Sequence, residues 1–193
     1  MDSHTTQHME NQDHKPLTTD LIDLEHEPET KPEAIEQLLD LAVDTGRVDD
    51  REQALADLHE REKEATTGVG MGIGIPHAKS SAVVAPTIAF TRSADGIDFD
   101  AMDDKPATLI FMLLVPEEGG QEHLAMLSSL SRSLMHEETR TALQEADSPE
   151  RVESIVLEAV QRSNGRSLSF PRMASMRGLP HKLSKPETST KAP

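Results

Sequence analysis

Ala107-Thr108-Leu109-Ile110-Phe111-Met112-Leu113-Leu114-Val115-Pro116 is the stretch whose reading decides the fold. Apart from Thr108, the residues up to Val115 are apolar and show no alternation. A strand covered on one face alternates, whereas one covered on both faces reads as a continuous apolar run. Pro116 has no N–H and is expected to end the strand. A strand hidden on both sides needs helices above and below it. The expectation is an α/β domain with a mixed central β-sheet flanked by helices on both faces.

The flanking sequence supplies those elements. Upstream, Ser93 to Asp100, with Asp95-Gly96, reads as a turn-rich link, and Ala82 to Phe90 reads as a strand. Further back, Leu21 to Leu24 gives a first short strand. Thr30 is placed as a helix N-cap, with Pro32 in the first turn. Ala34, Leu38, Leu39, Leu41 and Ala42 follow near helical spacing, and Gly46 closes that helix. A second helix begins around Val48-Asp49-Asp50, buries Ala54, Leu55 and Leu58, and carries Arg61-Glu62-Lys63-Glu64 near its end. Downstream, Glu117 to Gly120 is a loop, and Gln121 to Met135 is a helix with Leu124, Leu127, Leu130 and Leu134 on one stripe. Two shorter helices follow, around Glu137–Glu145 and Pro149–Val160, the latter capped by Ser148.

Between the second helix and the second strand lies Thr67-Gly68-Val69-Gly70-Met71-Gly72-Ile73-Gly74-Ile75-Pro76-His77. Glycine at 68, 70, 72 and 74 permits positive φ and close backbone approach. Ile73 to Ile75 reads as a short buried strand that Pro76 stops. His77 then stands at a strand end, where a side chain can be rigid yet face solvent. The segment is neither a P-loop, lacking Gly-Lys-Ser/Thr, nor a dinucleotide fingerprint, lacking a strong preceding strand.

Composition narrows the function. The 193 residues suffice for one domain plus tails. Absence of cysteine excludes disulfides and thiolate metal sites. No apolar run approaches the length of a membrane span, and the N-terminus lacks the apolar stretch of a signal peptide, so a cytoplasmic protein is expected. A formal net charge of −16 argues against nucleic acid as a partner. The acidic, arginine-leaning, aromatic-poor composition resembles that of salt-adapted proteins. Charge is uneven: residues 164–193 carry six basic side chains against Glu187 alone, so the remainder is more acidic still. Residues 1–16 and 164–193 lack apolar periodicity and read as disordered tails around a domain at 17–163.

Three groups can carry chemistry together: Arg61-Glu62, His77 and His123. His123 lies in the first turn of the helix after the central strand, and neighbouring strands could bring it to His77. Two imidazoles, an arginine and a helix N-terminus suit a phosphate. A neutral imidazole is a competent nucleophile near neutral pH. The simplest chemistry is a phosphoryl group held on a histidine nitrogen.

On these residues the chain resembles a known family, the IIA component of the phosphoenolpyruvate-dependent sugar phosphotransferase system, fructose/mannitol class, which includes nitrogen-regulatory members. Arg61-Glu62, Thr67-Gly68-Val69-Gly70 and Gly72-Ile73-Gly74-Ile75-Pro76-His77 match its first motif. His123-Leu124-x-x-Leu127-x-x-Leu130-Ser131 matches the second. Asp104-x-Pro106 leading into Leu109-Ile110-Phe111 matches the strand between them. The resemblance runs from about Thr18 to Arg162, with Gly74 standing where alanine is usual and adding flexibility. It implies that His77 is phosphorylated, that His123 and Arg61 flank it, and that no cofactor or metal is used. It also implies an HPr-like phosphocarrier as donor and an EIIB domain of a sugar permease, fructose above all, as acceptor. The rival expectations are a regulatory protein that binds targets according to its phosphorylation state, and a metal-dependent hydrolase built on His77 and His123.

Overall fold

The computed structural model describes residues 15–118 and 120–165. A 3-10 turn, Thr19–Leu21, leads into β1 (Ile22–Asp23), followed by α1 (Lys31–Asp44) and α2 (Arg51–Glu64). Next come β2 (Gly68–Gly70), β3 (Ile73–Gly74), β4 (His77–Ser80), β5 (Thr87–Ile97) and β6 (Ala107–Pro116). The helices α3 (Gly120–Leu134), α4 (Glu137–Gln144) and α5 (Pro149–Gly165) complete the described chain. The strands form one mixed sheet in the order β1-β5-β6-β3-β2, with β4 also paired to β6. β1 and β5 are parallel, as are β3 and β4 with β6. β5–β6 and β2–β3 are antiparallel.

The expected α/β architecture is present, and its centre is the apolar run at β6. Leu109 through Val115 are buried on both faces. Fully burying one such Leu, Ile or Phe side chain is worth about 1.5–3 kcal/mol, so this strand anchors the molecule. Phe111 pairs in register with Phe90 of β5, ring centroids 4.6 Å apart. α1 packs on β5 and β6 and against α2, while α3, α4 and α5 pack together and reach β6 and β1, so helices cover both faces.

Caps follow the sequence closely. Thr30 Oγ1 accepts the Glu33 N–H, and Asp50 accepts the Gln53 N–H. Either contact satisfies an N–H that the helix itself cannot. Thr45 caps α1 with Gly46 beyond it at φ 68°. Val48 lies before α2 rather than in it, bridged to Val83.

Three expectations need correction. Asp95-Gly96 is not a turn-rich link: β5 runs through it with an irregularity between Arg92 and Ile97, because β6 offers Ile97 a partner at Ala107. Val83-Val84 is not part of the β5 strand, which begins at Thr87. Pro76 does not end the pairing. Its carbonyl still accepts the Leu113 N–H at 2.9 Å, and pairing to β6 resumes at once with His77 opposite Leu113. β3 and β4 are thus two halves of one edge along β6, broken only by Ile75-Pro76.

Candidate functional site

The site is built where that edge breaks. The chain leaves α2, crosses Thr66 and Thr67, and forms the tight β2–β3 hairpin. Gly70 and Gly72 have φ of 87° and 78°, values open to glycine, and between them Met71 also sits at φ 57°. Asp103 Oδ2 accepts the Met71 N–H at 2.8 Å and holds this turn. The turn brings Ile73 and Gly74 onto β6 and delivers Ile75-Pro76-His77 to the end of α2. α2 packs directly on β4.

Gly74 has a steric role rather than a flexible one. A Cβ there would lie 3.0 Å from two atoms of the Phe99 ring, which is itself fully buried.

His77 is half-buried at the start of β4. Its Nδ1 lies 2.8 Å from the Ile75 carbonyl oxygen. A carbonyl only accepts, so Nδ1 carries the ring proton in the neutral imidazole and Nε2 carries the lone pair. Arg61 Nε donates to that Nε2 at 3.1 Å, and its Nη1 donates to the Ala65 carbonyl. Burial pushes the His77 pKa below its ordinary value. Arg61 pushes the same way, and the Ile75 carbonyl and Glu62 oppose it. The imidazole is therefore neutral near neutral pH and has a nucleophilic nitrogen. Around it a shallow depression is lined by Asp57, Glu60, Arg61, Glu64, Ala78 and Lys79.

Arg61 and His77, sixteen positions apart, are thus brought into direct contact. His123 has its backbone in the first turn of α3, at the far end of β6 from Ala107. Its side chain lies outside the described residues, as do the expectations for residues 1–14 and 166–193. Among the described residues no group of three or more His, Asp or Glu side chains is placed to hold a metal ion.

Sequence reasoning placed Thr67 in the motif but missed Lys31 as a neighbour of this site. Glu62 accepts from both the N–H and Oγ1 of Thr67, at 3.2 and 2.6 Å, and pairs with Lys31 Nζ. Lys31 is the first residue of α1, where a cation opposes the helix dipole, and Glu62 of α2 supplies its counter-charge.

A neutral imidazole is thus held between a carbonyl and a guanidinium at the broken edge of a mixed α/β sheet. The family described as "Phosphoenolpyruvate-dependent sugar phosphotransferase system, EIIA 2" matches residues 15–159, and the chain belongs to it. It is similar to the PTS system fructose-specific EIIA component of Haloferax volcanii, 66% identical over 142 residues that cover 74% of this chain and 92% of that protein. The nitrogen regulatory protein of Pseudomonas aeruginosa is 34% identical over 129 residues, covering 67% of this chain and 84% of that protein. Among solved structures, nitrogen regulatory protein IIA-Ntr from Neisseria meningitidis superposes with a TM-score of 0.65 at 35% identity, covering 73% of this chain and 96% of that one. Among the described residues no helix is long and apolar enough to cross a membrane.

Proposed function

We propose that this chain is the phosphohistidine carrier of a fructose uptake system, phosphorylated on Nε2 of His77. The observation that supports it most is the pair of contacts on that ring: Nδ1–H on the Ile75 carbonyl, and Arg61 on Nε2. The first makes Nε2 the nucleophile. The second puts a cation where phosphoryl oxygens would arrive. The donor is an HPr-like phosphocarrier, and the acceptor is an EIIB domain of a sugar permease. The Nε2 lone pair forms the new N–P bond as the bond to the donor nitrogen breaks, and that bond's electron pair returns to the donor imidazole. Arg61 turns from Nε2 to the phosphoryl oxygens, with His123 a second flanking donor. In-line positioning and charge stabilisation account for such a transfer. No bound metal takes part in this scheme.

The domain spans residues 17–163, and the protein works in the cytoplasm. The transport role is favoured over target binding by the identities of 66% to the fructose component and 34% to the nitrogen regulatory protein.

The test is labelling by a phosphorylated HPr-type carrier. Wild type takes up one acid-labile, alkali-stable phosphate, with or without EDTA, and His77→Ala takes up none while keeping its fold. Normal labelling of the folded variant overturns the assignment.

A further inference from the structure

Both nitrogens of His77 are met by one closed loop of contacts that runs through Glu62. One arm is covalent. Glu62 follows Arg61 in the last turn of α2, so wherever Glu62 is held, Arg61 is presented from the same turn. Arg61 Nε then donates to Nε2 of His77 at 3.1 Å. The other arm is a relay of hydrogen bonds. The Glu62 carboxylate accepts the Thr67 N–H and hydroxyl. The Thr67 carbonyl accepts the Ile75 N–H at 2.9 Å. The Ile75 carbonyl accepts Nδ1–H of His77 at 2.8 Å. The loop therefore closes on the ring from both sides.

Glu62 is not a surface charge that happens to lie nearby. The Lys31 and Glu62 side chains are only 17% and 14% exposed, and Thr67 is buried. Lys31 Nζ also lies 3.1 Å from Asp100 and 5.3 Å over the Phe99 ring. Burial pulls the Lys31 pKa down, and hydrogen bonds to Glu62 and Asp100 more than reverse this and raise it. The Glu62 carboxylate thus meets three donors, the Thr67 N–H, the Thr67 hydroxyl and the Lys31 ammonium. Through Lys31 the loop is tied to α1, and through Phe99 to the ring that packs on Gly74.

We propose that Glu62 is a positioning residue of the phosphoryl transfer, fixing the Ile75 carbonyl on Nδ1 and Arg61 on Nε2 of His77, with Lys31 as its counter-ion. This rests on His77 being the phosphoryl carrier. Transfer needs Nε2 to carry the lone pair and to point along the line of attack. A displacement of about 1 Å from that line can cost about 100-fold in rate. Glu62 sets both requirements without touching the phosphoryl group.

The test uses the full chain with a phosphorylated HPr-type carrier as donor. Glu62→Ala and Glu62→Gln are compared with wild type for kcat and KM of His77 labelling, and for the ring 15N shifts of His77. Glu62→Ala is expected to lower kcat by about 10- to 100-fold, to leave KM within about twofold, and to convert the single tautomer to a mixture. Glu62→Gln keeps an acceptor for the Thr67 N–H but loses the charge that pairs with Lys31. It should show a smaller change in the same direction, and as the isosteric variant it carries the test should Glu62→Ala not fold. Unchanged kcat with an unchanged tautomer in a folded Glu62 variant overturns the proposal. A change in KM alone also overturns it, since that would place Glu62 in partner docking. In both cases His77 is still labelled, so the carrier assignment stands. Its own failure is read separately from His77→Ala.

Discussion

At His77 the balance of burial and neighbours sets the working pH. Burial lowers its pKa, aided by Arg61 and resisted by the Ile75 carbonyl and by Glu62. An ordinary histidine is half protonated at about pH 6.5. His77 should stay neutral through that point, so its phosphate uptake should hold as pH falls through 6.5. A labelling rate halved there, after correction for the donor, would contradict this. Stability follows by linkage. The folded pKa is lower than the unfolded one, so between the two the unfolded chain binds the extra proton. The stability that neutral His77 contributes is whole above about pH 6.5 and is lost as pH falls below it. Melting temperatures from pH 7 to 5 should therefore fall less steeply in His77→Ala than in wild type. Asp23 acts in a different window. Burial raises its pKa, but hydrogen bonds from Glu25, His26 and Gln37 lower it further, so its contribution is lost only below the ordinary carboxylate range.

At the scale of an element, β3 shows how a short strand is fitted to its neighbours. A methyl group at Gly74 would meet the Phe99 ring at 3.0 Å, so the ring would have to give by a few tenths of an ångström. Phe99 is fully buried and Lys31 Nζ lies 5.3 Å over its ring, so it does not move away cheaply. Overpacking of this kind costs about 1–3 kcal/mol. Gly74→Ala should destabilise by that amount in urea unfolding, and Phe99→Leu in the same chain should recover part of the loss. Additive effects of the two changes would mean that the ring and the glycine do not share the space. β4 teaches the complementary lesson. Proline lacks a donor but keeps an acceptor, so Pro76 costs the edge one hydrogen bond and leaves His77 in register with Leu113.

Across the whole molecule the dominant long-range quantity is charge. The formal net charge is −16. On α1, Glu36 and Asp40 share the single cation of Arg51, with Glu33, Asp44 and Asp23 lining the same groove. Self-repulsion of this kind weakens the compact state, and salt shortens its reach from about 8 Å at 0.15 M to about 3 Å at 1 M. The half-buried Lys31–Glu62 pair is screened less. Raising potassium chloride over that range should raise the melting temperature, and a fall would show that the exposed ion pairs outweigh the repulsion.

The sequence by itself determined the parts whose physics is local. The apolar run at β6 declared a doubly covered strand. Thr30 and Ser148 declared helix starts, and the Arg61–His77 and His123 motifs declared the family. Each depends on a few neighbouring residues, so a window of sequence contains its cause. Only the tertiary structure decided what joins those parts. It carried β5 through Asp95-Gly96, resumed pairing after Pro76, and gave Gly74 a steric reason. It also linked Lys31 to Glu62, and Arg61 and Ile75 to opposite nitrogens of one ring. Those contacts depend on where the sheet register places residues far apart in the chain, and no local pattern encodes that register.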